Sequence, residues 1–312
     1  MLETADEINL ATARTDPEWL ARLDEIADER GAFMPLGVHH FGCFIEGNDT
    51  LLVTFESLPE IRAMQPGHRP LGLQIADRHG WSALMLLARA PRWYRDAEVL
   101  DFFDSQIDAG FFESFKRVVF YGAGMCGYAA ATFSLAAPGA SVLAIAPQAT
   151  LDPEIAPWET RFHTQRRFDF RTRFGFAPAM LEGARNAFVV YDPGNHLDAM
   201  HATLFRRPFV TMLRSPVLGA ENTAAALHRF GVLDTLIEAA MRGRLTPARF
   251  HDLMRKRRGD PDYLRSLVKR AVKSDHPTLT AIAARHALAL RDSKGMRKRL
   301  KRVEKTLAEA PE

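Results

Sequence analysis

The sequence predicts an α/β fold in which a mostly parallel sheet is covered by helices on both faces. Three observations carry this reading. Short apolar runs alternate with helical segments, several runs end in polar loops at their carboxyl ends, and one run, Val118-Val119-Phe120, feeds a glycine-dense turn that opens a small-residue helix.

The elements follow in order. Thr15-Asp16-Pro17-Glu18 has the form of a capping box with proline in the first turn, and Trp19, Leu20, Leu23, Ile26 and Ala27 then fall on one helical face until Gly31. Val38 to Ile45 and Leu51 to Phe55 are apolar runs joined by Glu46-Gly47-Asn48-Asp49, which predicts an antiparallel hairpin. His39 and His40 in its first strand point to opposite faces and do not form a metal pair. Glu56 to Pro70 carries three prolines and Gly67 and reads as a loop, of the kind that builds active sites in open α/β sheets. Leu71 to Ile75 and Ser82 to Leu87 read as short strands, Asp96 to Ile107 as an amphipathic helix, and Ser141 to Ala146 as a strand closed by Pro147. Residues 151–180, rich in Arg and Phe with several prolines, read as an irregular lid, and the arginines at 161, 166, 167, 171 and 173 belong on its exposed face or line a pocket as anion binders. Ala187 to Tyr191 and Phe209 to Leu213 complete the strands. From Asn222 onward the pattern is helical, broken at Gly231, Thr246-Pro247, Asp260-Pro261 and His276-Pro277, and Lys294 to Glu309 forms a basic amphipathic helix.

The 312 residues, 47% of them hydrophobic, suffice for one core of roughly 200–250 residues with an extension. The expected organisation is an N-terminal helical segment (1–36), a main domain (37–233) with its lid (151–180), and a basic helical extension (234–312). Cys43 and Cys126 lie far apart and neither sits in a C-x-x-C pair, so no disulfide framework, zinc site or other cofactor is expected. The acidic start, Met1 to Glu7, lacks a basic region followed by an apolar run, and no stretch reaches about 18 uncharged apolar residues, which points to a cytoplasmic protein. The net charge of +3 hides an asymmetry: residues 241–312 hold 20 Lys and Arg against 8 Asp and Glu, which leaves 21 against 30 before them. Either body and tail attract each other, or the tail meets an anionic partner such as nucleic acid, a lipid surface or an acidic glycan. With Phe250 and Tyr263 as its only aromatics, the tail offers little for base stacking.

The organising stretch is Tyr121-Gly122-Ala123-Gly124-Met125-Cys126-Gly127-Tyr128-Ala129-Ala130. Strand, tight turn and helix in this order are the setting of a nucleophile elbow. Together with Leu51 to Phe55, Arg92-Trp93-Tyr94, Ala146-Pro147-Gln148 and the run from Val189 through Asp198 to His201, it resembles the α/β-hydrolase superfamily. The particular likeness is to a group whose elbow reads roughly Y-G-S-S-M-G-G-Y-A-A and which includes acyltransfer and ester-cleaving proteins acting on glycans. The resemblance covers about residues 37–231 and implies an α/β-hydrolase-like sheet. It also places the family's serine on Gly124, its acid on Asp198 or Asp192, and its histidine within residues 214–222, where this sequence has none. Loss of a triad member costs on the order of 10⁴- to 10⁶-fold in rate.

Two functional readings follow. In the first, a catalytically degenerate scaffold binds a small molecule, a glycan or a protein, with Gly122, the Met125 N–H, Glu56, Ser57, Asp192 and His196 as ligand-binding positions and the basic tail as a docking element. In the second, an unconventional esterase or acyltransferase uses Cys126 as nucleophile, or water activated by Asp198 and His201, which share a helical face at i, i+3. Tyr128 stands where an elbow built on Cys126 would need a small residue, and a buried thiol packs as a small hydrophobe.

Overall fold

A computed structural model of the chain describes residues 8–218 and 223–309. Its centre is one eight-stranded sheet of order β1-β2-β4-β3-β5-β6-β7-β8. The strands are β1 (Gly31–Leu36), β2 (His40–Ile45), β3 (Asn48–Ser57), β4 (Trp81–Ala88), β5 (Arg117–Ala123), β6 (Ser141–Ile145), β7 (Asn186–Tyr191) and β8 (Val210–Arg214). From β4 through β8 every pairing is parallel, while β2 runs antiparallel to both β1 and β4.

Side-chain alternation along the strands sorts the core into two layers. Leu51, Val53 and Phe55 of β3 and Phe120 of β5 face one side, where α4 (Ala97–Asp108) brings Val99, Phe102 and Phe103 and α5 (Met125–Phe133) brings Tyr128, Ala129, Ala130 and Phe133. Leu52 of β3, Val119 and Tyr121 of β5 and Leu143 of β6 face the other. That side is covered by α3 (Leu71–His79), α8 (Thr223–Arg229), α9 (Leu233–Met241), α10 (Pro247–Leu253) and part of α11 (Pro261–Lys273). At the β1–β2 end of the sheet, α1 (Asp16–Arg30) buries Trp19, Leu23 and Ile26 against Cys43, Ile45, Met85 and Leu87. The remaining helices are the short α2 (Leu58–Met64) and α6 (Ala177–Met180), α7 (His196–Leu204), α12 (Pro277–Leu290) and α13 (Lys294–Ala308). The last two meet α11 through a small cluster of Val268, Ala283 and Ala284 that Met296 and Leu300 cover.

Helix starts in the tail follow their local chemistry. Thr246 accepts from Arg249 N–H to cap α10, and Asp260 accepts from Tyr263 N–H to cap α11, each with proline at the next position. His276-Pro277 opens α12 without a side-chain cap.

Three expectations are corrected. The run ending at Ile45 does not form a hairpin with the run beginning at Leu51: β2 lies between β1 and β4, and β3 lies between β4 and β5. Leu51, Leu52, Val53 and Phe55 are at most 1% exposed, and a strand buried on both faces belongs in the middle of a parallel sheet. The antiparallel partner of β2 is β1, unread in the sequence, reached through a turn at Gly37 with φ of 70°. Leu71 to Ile75 is helical, because the Glu56 carboxylate accepts the N–H groups of Leu71 (2.7 Å) and Gly72 (2.9 Å) and so caps α3 from the end of β3. The stretch from Glu56 to Pro70 likewise contains α2 and a 3₁₀ turn at Pro66–His68, not an open loop.

Among the described residues no helix is long and apolar enough to cross a membrane. Nor does any group of His, Cys, Asp and Glu among them have metal-binding geometry. His40 is fully buried, 3.3 Å from Asp96 and tilted against the Tyr94 ring.

Candidate functional site: the elbow cavity

The turn from β5 into α5 is built by glycines with different jobs. Gly124 caps α5 with φ of 56° and ψ of −122°, torsions that an L-residue adopts only under strain. Its N–H donates to the Ile145 carbonyl (2.8 Å), and its carbonyl accepts from Tyr128 N–H (3.0 Å), so the turn is locked to β6 and to the helix. A Cβ at Gly124 would meet nothing within 4 Å, so the position opens onto free space. A Cβ at Gly122 would lie 2.0 Å from the Cys126 carbonyl oxygen, which makes glycine obligatory there. The first N–H groups of α5, at Met125 and Cys126, have no intrahelical acceptor and lie at the positive end of the helix dipole.

A cavity of about 210 Å³ lies beside this turn, at the carboxyl ends of β3 and β5. Ala123 and Cys126 border it from the elbow, Glu56, Ser57 and Glu60 from the β3–α2 junction, and His228 and Arg229 from the last turn of α8. Glu56 is not free for chemistry: beyond the two α3 N–H groups, it accepts the Thr54 hydroxyl at 2.7 Å. Burial raises its pKa, and those hydrogen bonds oppose the rise. Glu60 reaches the mouth of the cavity, where partial desolvation raises its pKa. Cys126 is 4% exposed, with Sγ 3.6 Å from the Tyr94 hydroxyl. Burial, reinforced by the Glu60 charge, pushes its thiol far up and keeps it protonated.

Of the positions nominated from sequence, Glu56, Ser57 and Cys126 border the cavity, and Gly122 and Met125 form the turn beside it. Asp192, His196, Asp198 and His201 do not line it. His196 begins α7 and is exposed. The buried Asp192 accepts Gly194 N–H (2.7 Å) and Leu218 N–H (2.9 Å), which ties the loop after β7 to the segment after β8.

Asp198 and His201 do share one face of α7, and residues of the 151–180 segment join them. Arg161 donates from Nη1 to Asp198 (2.6 Å), and from Nε and Nη2 to both carboxylate oxygens of Glu159. Glu159 Oε2 lies 2.9 Å from His201 Nε2, and the fully buried His201 accepts Ala149 N–H at Nδ1 (3.2 Å). That acceptance places the proton on Nε2, facing Glu159. Burial lowers the pKa of His201, so the ring is neutral at pH 7 and sits between α7 and the 151–180 segment. For Glu159, burial opposes ionisation, but hydrogen bonds from His201 and Arg161 outweigh it and hold the carboxyl down at about 2.

Two cavity residues were not read in the sequence. Glu60 lies in a stretch that reads as loop, and His228 lies six residues beyond the window in which the family's histidine is expected. The available signal was that His228 is the first histidine after β8. Residues 219–222 of that window lie outside the described residues.

Both cysteines are buried, and burial pushes the Cys43 thiol up to about 12. Ellman's reagent is therefore expected to titrate neither thiol in the folded protein at pH 8 and both in denaturant. Fast native labelling at Cys126 would show that the elbow opens.

No family model matches the chain, and no curated protein matches it. Solved structures do. The capsule O-acetyltransferase of Neisseria meningitidis serogroup A is 14% identical, with a TM-score of 0.43, over 64% of this chain and 91% of that one. A hyperthermophilic esterase from the archaeon Pyrobaculum calidifontis is 14% identical, with a TM-score of 0.46, over 73% and 91%. A hormone-sensitive lipase from a metagenome library is 12% identical, with a TM-score of 0.40, over 80% and 96%. With TM-scores below 0.5, these likenesses carry no argument. The strand order, with its parallel run from β4 through β8 and the antiparallel β2, supports the fold instead. The fold is α/β-hydrolase-like.

Proposed function

We propose that this α/β-hydrolase-like protein is catalytically degenerate and that its elbow cavity binds a small oxygen-bearing ligand. The observation that carries this reading is Gly124: it holds elbow torsions beside the cavity and brings no side chain to act as nucleophile. The Cys126 N–H at the start of α5 provides for a carbonyl or carboxylate oxygen, and His228 borders the same cavity from α8. A volume of about 210 Å³ suits a fragment the size of a short acyl group, below the roughly 300–1,000 Å³ of drug-sized sites. The buried, protonated Cys126 thiol speaks against the cysteine version of the ester-directed reading, and the Glu159–Arg161 network around Asp198 and His201 speaks for a structural role of that pair.

A second reading, an esterase or acyltransferase on a small ester or acylated glycan, is favoured by His228 and Glu60 bordering the same cavity. A histidine and a carboxyl of raised pKa are the groups needed to activate water. One experiment separates the two. Under the binding reading, a fluorophosphonate probe leaves the protein unlabelled, and p-nitrophenyl acetate turns over no faster with the wild type than with His228→Ala. Under the ester reading, turnover is measurable and falls on the order of 10²- to 10⁴-fold in His228→Ala. Fluorophosphonate labelling of the wild type would overturn both.

A further inference from the structure

The C-terminal helices carry a second concavity, of about 570 Å³, between α11 and α12. Leu264, Leu267 and Ala271 of α11 and Leu279, Ile282 and Ala283 of α12 form its floor. The spacings i, i+3, i+7 and i, i+3, i+4 mean that each helix turns an apolar stripe into the groove. Leu279 and Ile282 are nevertheless each 57% exposed. Among the described residues the charged lining has one sign: Arg258 and Arg270, with His276 and His286 and no Asp or Glu. Both arginines are exposed, and neither has an acidic partner among the described residues. Asp192 approaches Arg270 across Gly194, but its oxygens are engaged by Gly194 and Leu218 N–H.

The walls are held in place. His286 Nε2 lies 2.9 Å from the Arg258 carbonyl and ties α12 to the turn that presents this arginine. Val217 on the opposite wall has φ of 68°, a conformation that costs a β-branched residue energy, and the next residue is anchored to Asp192.

We propose that this groove binds a single-chain anionic amphiphile, such as a long-chain fatty acid, with its alkyl chain on the Leu264–Ile282 floor and its head group at Arg258 and Arg270. Charge complementarity selects the anionic head, and the apolar floor selects the chain. The volume lies within the range of small-ligand sites, whereas a protein partner needs roughly 1,000 Å² or more of buried surface, well beyond this cleft.

The test is calorimetric titration of the full chain with dodecanoate and dodecanol. Dodecanoate is expected to bind at least about tenfold more tightly than dodecanol, with a preference that shrinks as salt rises, and each methylene removed should weaken binding about fourfold. Arg258→Ala with Arg270→Ala should reduce dodecanoate to the dodecanol level. Ile282→Asp, at an exposed position, should abolish both, while Ala225→Trp, which fills the elbow cavity, should change neither. If circular dichroism shows Ile282→Asp to be unfolded, the arginine pair decides. Equal binding of acid and alcohol overturns the proposal, as does loss through Ala225→Trp. So does a stable dimer that Ile282→Asp dissociates, which would make a second copy the occupant, or an acidic amphipathic peptide that binds where dodecanoate does not. Because the Ala225→Trp control reports on the elbow cavity alone, failure here leaves the proposed function untouched.

Discussion

Gly122→Ala is expected to destabilise the protein by about 3 kcal/mol or more and to lower its melting temperature by on the order of 5–10 °C. The added methyl would sit 2.0 Å from the Cys126 carbonyl oxygen and 2.4 Å from its carbon. Both belong to backbone in the first turn of α5, so relief requires that turn to unwind. Gly124→Ala, two residues on, is the control. It meets open space and bears only the strain of its torsions, which costs an L-residue roughly 1–3 kcal/mol. Parallel thermal melts of the two variants check the contrast, and equal losses would mean that torsional strain, not the close approach, governs the turn.

Glu159→Ala is expected to cost about 1–3 kcal/mol, because it leaves the buried His201 Nε2–H without its acceptor while Arg161 keeps Asp198. The same network predicts the acid response. The folded pKa of His201 lies below its ordinary 6.5, so the unfolded chain takes up that proton first and stability falls as pH drops below about 6.5. The Glu159 carboxyl, held at about 2 against an ordinary 4.5, contributes stability that is present above 4.5 and lost as pH falls from there toward 2. Urea midpoints measured from pH 8 to pH 3 should therefore decline in two stages. The first stage should shrink in His201→Phe, and the remainder belongs to His79, whose pKa burial also lowers. A wild-type midpoint that stays flat across this range would refute the assignment.

Much of the fold is legible because much of it is local. Proline after Thr246, Asp260 and His276 marks the starts of α10, α11 and α12, since a cap and a fixed φ act within one turn. The glycines at 122 and 124 mark the elbow for the same reason. What could not be read depends on partners distant in sequence. Leu71 to Ile75 is too short and apolar for periodicity to decide, and what makes it a helix is Glu56, fifteen residues earlier. The position of β2 beside β4 is fixed by which strand must be buried on both faces. The site divides the same way. The elbow is visible in its spacing, but His228 and Glu60 meet only across the cavity. The i, i+3 pairing of Asp198 and His201 is visible, yet the side chains that occupy both are Glu159 and Arg161 of the 151–180 segment.

Arg229 joins the two halves of the molecule. It borders the elbow cavity from the end of α8, and its guanidinium donates to Asp260 (2.7 Å), the residue that caps α11. The helix whose start is fixed from one cavity is the helix that floors the other. Arg229→Ala is therefore expected to loosen the start of α11 as well as to alter one wall of the elbow cavity.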